Sequence, residues 1–322
     1  MNIRVFGILF VAYVALAASF AFSARKPPPM PATEVRIETA LLLDARRSAA
    51  RLVAAGEHSW IFVSDDGGAH WRRVPTDGTA TLTALAFADE RLGLAVGHDM
   101  SILRSTDGGT SWRTVFTAPE QQRPLLAALF LDAQRAIAVG AYGAYLESTD
   151  GGQTWTERTV GADDRHFNAI VRLDNNRLLL AGEAGALLIS DNDGASWQPL
   201  ASPYAGSFFG LLPLPDRTLL AYGMRGRIFR STDGGENWLA SESASEDALF
   251  SGFRRSDGLI VLTGQNGAVL ISADSGRSFS RIATASSRTL VAALEQAATP
   301  DTALVFGDGG VARVSLNENG TR

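Results

Sequence analysis

Cysteine is absent from this 322-residue chain, which excludes a disulfide framework, a thiolate nucleophile, a Cys-ligated zinc site and a lipobox for lipid anchoring. A surplus of positive charge is missing too: Lys and Arg number 29 against 34 Asp and Glu, for a formal net charge of -5. Without a basic footprint to neutralise phosphates, nucleic acid is not an expected partner. After residue 30 no segment carries a sustained helical stripe with caps, so almost no helix is expected there. Apolar residues, by contrast, make up 46% of the chain, and glycine occurs 32 times. Such a composition describes a folded, turn-rich protein. Length alone would fit two ordinary domains, unless repeats build one larger body.

The first 24 residues stand apart. Arg4 precedes an apolar run from Val5 to Ala18, with Ser19, Ala21, Ser23 and Ala24 after it. This is the pattern of an export signal. Ser19-Phe20-Ala21 offers cleavage after Ala21, while Val5 to Phe22 is also just long enough to span a bilayer uncleaved. Residues 1–24 are therefore expected to be a signal peptide or an N-terminal anchor in the inner membrane. Arg4 and the amino terminus on one side balance Arg25 and Lys26 on the other, so charge does not orient the segment. Pro27, Pro28, Pro29 and Pro31 make residues 25–31 a stiff, extended spacer. The folded body is expected over 32–322, in the periplasm or otherwise outside the cytoplasm.

Within that body a Gly followed eight residues later by Ser recurs seven times: Gly56/Ser64, Gly97/Ser105, Gly140/Ser148, Gly182/Ser190, Gly223/Ser231, Gly264/Ser272 and Gly307/Ser315. Successive glycines lie 41, 43, 42, 41, 41 and 43 residues apart, a period that falls among propeller-blade lengths. Apolar periodicity inside a repeat is that of strands, as in Phe167 to Leu173, Arg177 to Ala181, Ala186 to Ser190 and Trp197 to Leu200. Four short strands per repeat predict an all-β, seven-bladed β-propeller of four-stranded antiparallel blades. A second Gly, at Gly143, Gly185, Gly226, Gly267 and Gly310, supplies the positive φ for the turn between strands two and three. The first two copies replace it with Ser59 and with Met100 or Ser101. Spacing backwards from Gly56 makes Ala32 to Ile37 the outer strand of the last blade, beside Leu290 to Leu294, Ala303 to Phe306 and Val311 to Ser315. Pairing both chain ends in one blade would remove an open edge.

A second motif begins at each Ser. S-x-D-x-G-x-x-W is complete in four copies, with Asp66 and Trp71, Asp107 and Trp112, Asp150 and Trp155, and Asp233 and Trp238. Copy four has Asn192 before Trp197, copy six has Asp274 before Phe279, and the last decays to Ser315-Leu316-Asn317. Asp and Asn bond their own backbone in an Asx-turn, Gly accepts a left-handed conformation and the aromatic tucks beneath, so the box reads as a hairpin clamp. These carboxylates are expected to serve their own turns, and calcium would need six to eight oxygens gathered together. His58 and His98 occupy equivalent places in adjacent repeats, but no third ligand accompanies them. No metal and no cofactor is assigned.

The box resembles the Asp-box, or BNR, repeat of sialidases and of many non-enzymatic propellers, over residues 32–322. More narrowly, the run from Ala138-Val139-Gly140 through Ser148-Thr149-Asp150-Gly151-Gly152-Gln153-Thr154-Trp155 is similar to the family of photosystem II stability and assembly factors of chloroplasts and cyanobacteria, with bacterial relatives. That resemblance implies an exported, non-catalytic scaffold that assists assembly or stability of a membrane-protein or transport complex.

Topology indicates where binding should occur. With strands running outwards from the axis, the boxes share one face with the turns between strands one and two. The Gly-x-x-Gly turns and the blade-to-blade connections share the other, and there the side chains vary. That face carries the candidate partner-binding residues Arg123, Tyr142, Arg165, His166, Glu183, Tyr204, Arg225 and Arg288. Aromatics and arginines are enriched in protein interfaces, which favours a polypeptide partner bound by a monomer. Phe167, Phe208, Phe209 and Phe250 also begin inner strands and read first as core. The alternative is a glycan-binding or sialidase-like propeller, needing an arginine cluster, a Tyr nucleophile and an acid on one face. Glu57 and Glu183 are its acidic candidates. Such sites usually sit on long insertions in six-bladed rings, whereas these repeats vary by two residues, so no catalytic residue is assigned.

Overall fold

The computed structural model describes residues 3–22, 35–161, 164–173, 176–284, 286–296, 299 and 301–317, in two units, Met1–Glu34 and Val35–Arg322. The first holds one helix, Ile3–Ala21, whose large apolar side chains, from Val5 to Phe20, are exposed. Among the described residues no helix is long and apolar enough to cross a membrane. The Pro-rich spacer lies outside the described residues.

The second unit is a ring of seven antiparallel blades. Their inner strands are Leu42–Ser48, Leu82–Phe87, Leu125–Phe130, Phe167–Arg172, Phe208–Pro213, Leu249–Arg254 and Leu290–Glu295. Each adjoins the next, and the seventh adjoins the first. Second strands such as Ala136–Gly140 and Leu178–Gly182 are buried throughout, which is why they read as unbroken runs of small and aliphatic residues. Outer strands are short, only two residues at Arg72–Arg73, Thr156–Glu157, Gln198–Pro199 and Leu239–Ala240, which leaves little unpaired edge. Blade six gains a fifth strand that the repeat did not predict, Glu242–Ser243, parallel to Ser278–Arg281.

Ring closure differs in form from expectation. Of the strand predicted over Ala32 to Ile37, residues 32–34 lie outside the described residues. The remainder is not a strand: Val35 and Arg36 lead into a 3-10 turn, Ile37–Thr39. Blade seven accordingly has three strands among the described residues, Leu290–Glu295, Thr302–Gly307 and Gly310–Ser315. The segment still seals the ring, because Val35 and Ile37 pack with Leu304, Phe306 and Val311 of that blade. Trp71 of blade one meets Phe306 edge-on at 5.8 Å.

The two motif glycines do different work. The first has extended φ and is required by space: a methyl there would lie 1.8 to 2.3 Å from the carbonyl oxygen of the residue before the inner strand, in every blade from Gly56 to Gly307. The second is required by conformation, with φ from +63° to +74° in five copies, while Ser59 and Met100 adopt φ of 53° and 50° in the first two. In six blades a left-handed residue precedes it, among them Tyr142 and Arg225, giving the twist of a type I′ hairpin turn. These turns sit on the next connection: Ser59, Met100, Gly143 and Gly267 donate their N–H groups to the carbonyls of Ala80, Arg123, Arg165 and Arg288.

All seven inner strands carry a β-bulge at their second residue: Leu43, Thr83, Leu126, Asn168, Phe209, Phe250 and Val291 are skipped in the pairing. A bulge re-aims a side chain, and all seven line an axial channel of about 320 Å³. On the opposite face arginines staple blades together. Arg51 donates to Gly108 O at 3.0 Å, Arg104 to Gly151 O at 2.7 Å, Arg230 to Ser275 O at 2.8 Å and Arg313 to Gly68 O at 2.9 Å, each reaching the box of the following blade. The last of these joins blade seven to blade one.

Candidate functional site

The boxes are closed structural units. In the first, Ser64 Oγ donates to Asp66 Oδ1 at 2.8 Å and accepts the Gly68 N–H at 2.8 Å, while Oδ1 also accepts the N–H groups of Ala69 and His70. Oδ2 meets a donor four residues on: His70 Nδ1 for Asp66, Ser111 for Asp107, Thr154 for Asp150, Asn237 for Asp233 and Ser278 for Asp274. Asn192 keeps the pattern by turning its amide, with Nδ2 donating to Ser196 Oγ at 2.9 Å. Bonding of this kind favours the carboxylate. Hydrogen bonds from His70, backbone first, hold Asp66 well below the ordinary range, and the Thr154 hydroxyl and N–H do so for Asp150. At Asp233 and Asp274 partial desolvation pushes upward, yet the hydrogen bonds prevail and hold both at about 2. Trp112, Trp155 and Trp238 donate to the carbonyls of Gly109, Gly152 and Gly235 inside their own boxes. Trp197 reaches Tyr145 Oη at 3.3 Å instead, and Phe279 is buried. Among the described residues no three His, Asp or Glu side chains gather to hold a metal.

On the Gly-x-x-Gly face the candidate residues fall into separate groups. Tyr142, at the tip of its turn and 55% exposed, stands edge-on over His166, with ring centroids 4.7 Å apart. His166 N–H donates to Glu183 Oε2 at 3.3 Å, and its Nε2 lies 3.9 Å from the same oxygen. Arg165 is anchored beside them by its carbonyl, which accepts the Gly143 N–H. The structure thus brings Tyr142, Arg165, His166 and Glu183 together between blades three and four. Arg123, at the preceding connection, pairs with Glu157 at 2.7 Å and with Gln121.

The other three candidates lie farther round the ring. Tyr204 packs on Phe208 and Phe229 and donates to Met224 O at 3.4 Å. With Arg225, Ser243 and Glu246 it lines a cavity of about 830 Å³ beside blade five. Arg288 lies against Gly309 and lines a cavity of about 420 Å³ at blade seven. The arginines of the sialidase-like alternative are therefore spread from blade two to blade seven, and Glu57 accepts the Leu41 N–H at 3.0 Å in blade one. The four phenylalanines divide: Phe167 and Phe208 are core, whereas Phe209 and Phe250 are half-buried in the channel. Sequence reasoning missed the channel residues Asp44, Arg46 and Tyr222. The one available signal was a charged pair in an inner strand whose counterparts are apolar or small.

The family model for the photosynthesis system II assembly factor YCF48 matches residues 116–261, from the outer strand of blade two to the second strand of blade six. Comparison with curated protein sequences finds no match. Among solved structures, YCF48 bound to a D1 peptide superposes with a TM-score of 0.68 at 20% identity, covering 91% of this chain and 99% of that one. YCF48 from Cyanidioschyzon merolae gives 0.68 at 15% identity, over 90% and 97%. A GH74 xyloglucanase from Xanthomonas campestris gives 0.67 at 12% identity, over 88% of this chain and 53% of the enzyme. At these identities the likeness is one of fold. The chain is a seven-bladed Asp-box propeller resembling the assembly-factor family.

Proposed function

We propose that this chain is an exported, non-catalytic scaffold whose Gly-x-x-Gly face binds a polypeptide belonging to a membrane-protein or transport complex of the cell envelope. The observation that carries this reading is the cluster of Tyr142, Arg165, His166 and Glu183. An exposed aromatic standing on a second ring, flanked by arginine, is an anchor of the kind that dominates protein interfaces. The matched span 116–261 contains that cluster together with Arg123, Tyr204 and Arg225, and a protein of the same family model has been solved with a D1 peptide. The apolar stretch from Val5 to Ala18 supports export. The xyloglucanase likeness extends to fold and brings no pairing of carboxylates on this face. The test is affinity isolation of the chain from its native envelope in mild detergent, with Tyr142→Ala and Arg165→Ala variants in parallel. Recovery of one membrane-protein complex, lost in both variants, would support the scaffold. Turnover of a glycoside by the same preparation, with no complex recovered, would overturn it.

A further inference from the structure

The axial channel has two zones. Its mouth, at the Gly-x-x-Gly end, is the collar of bulge residues, mostly apolar, in which the rings of Phe209 and Phe250 lie 5.4 Å apart. Below the collar the lining turns polar on two sides. In blade one, Asp44 Oδ1 accepts the Ala45 N–H at 2.8 Å, and Oδ2 accepts the Leu85 N–H at 2.8 Å and lies 3.2 Å from Arg46 Nε. Arg46 Nε also donates to Leu85 O at 3.2 Å, but the terminal nitrogens of this 54% exposed side chain take no hydrogen bond among the described residues. Across the ring, Tyr222 of blade five pairs with Gly210, the residue below the collar. A methyl on Gly210 would lie 2.5 Å from the Tyr222 hydroxyl, and one on Gly252 would lie 3.4 Å from it. The glycines thus open a passage for the phenol to the channel. Tyr222 is only 3% exposed, and its hydroxyl has no hydrogen-bond partner among the described residues. Burial pushes its ionisation up, above all other influences, so it remains a neutral donor.

A buried donor without an acceptor carries a desolvation cost that a ligand can relieve. Both unmet groups are donors, and one is a cation, so the missing partner is an acceptor with negative charge. It is unlikely to be a peptide backbone in extended contact, which brings an N–H at every residue: the carbonyls of Leu85, Leu125 and Phe208 are already taken by Arg46, Thr83 and Asn168. A volume of about 320 Å³ is at the small end for ligand pockets. We propose that the channel binds a small amphiphilic carboxylate, a medium-chain fatty acid in class, with its apolar chain inside the bulge collar and its head on Arg46 and Tyr222.

The probe is decanoate carrying carbon-13 at the carboxyl, titrated into the full chain by calorimetry and NMR. One-to-one binding is expected, with the carboxyl titrating below its free value. Arg46→Met should weaken affinity by about tenfold or more, and Tyr222→Phe, which removes only an oxygen, by several-fold. Decanol should bind more weakly than decanoate. Absence of saturable decanoate binding would overturn the proposal, as would equal affinity in both variants. A short peptide ending in leucine that saturates the channel where decanoate does not would reassign it to a polypeptide end. None of these outcomes depends on the envelope partner.

Discussion

Replacing Gly182 by alanine tests whether the first glycine of each repeat is a spatial rather than a conformational requirement. Its φ of -166° is open to any residue, so conformation alone predicts no loss and even a slight gain from a stiffer unfolded chain. The added methyl, however, would lie 1.9 Å from His166 O, 3.0 Å from His166 C and 3.2 Å from Phe167 Cα. Carbon and oxygen ordinarily meet at about 3.3 Å or more, so turn and inner strand must part by over an ångström. All three obstructing atoms are backbone, and the Glu183 N–H to His166 O bond of 2.9 Å lies in the path. Overpacking on this scale costs about 3 kcal/mol, equivalent to a fall in Tm of about 6 to 10 °C for a domain of this size. The control is Gly67→Ala, where φ is +71° and nothing lies within 4 Å; it should cost about 1 kcal/mol from the left-handed conformation. Thermal and urea denaturation of both variants decide the matter. A Gly182→Ala protein as stable as its parent, or no less stable than Gly67→Ala, would refute the spatial argument.

Further predictions concern the boxes and the closure. Arg313→Ala removes the hydrogen bond to Gly68 O that joins blade seven to blade one; it should cost about 1 kcal/mol and speed hydrogen exchange selectively over Gly310–Ser315, whereas uniform exchange across the ring would contradict the staple. Asn192→Asp should change stability by less than about 0.5 kcal/mol, because Ser196 can donate to a carboxylate as Ser111 and Ser278 do. Asp233 and Asp274, held at about 2 against an ordinary 3.8, favour the folded state in their ionised form. Their contribution should be complete above about pH 4 and lost as pH falls to about 2; a midpoint of acid denaturation unmoved by Asp233→Asn together with Asp274→Asn would count against it.

The boxes were legible because their bonding is local: Ser64 reaches Gly68 and Asp66 reaches His70, four residues at most, and the polar residue before each Trp supplies the second donor. The same holds for the left-handed second glycine. The purpose of the first glycine was not legible, since its obstacle lies at the far end of the inner strand, as Leu41 does for Gly56. Nor was the grouping of the site. Tyr142 and His166 are 24 residues apart in sequence and meet because a turn of blade three seats on the connection into blade four, whereas Arg225 and Arg288, of the same type and motif position, are carried elsewhere by the ring.

By itself the sequence determined the number of blades, the strands within each and the face on which side chains vary, because period, alternation and turn chemistry act over a few residues. Tertiary structure alone decided the closing 3-10 turn at Ile37–Thr39, the staple from Arg313 to blade one, the seven bulges and the channel that sets Arg46 opposite Tyr222. Those features depend on which backbone atoms approach across blades, and such distances are set by the closed ring rather than by any stretch of chain within it.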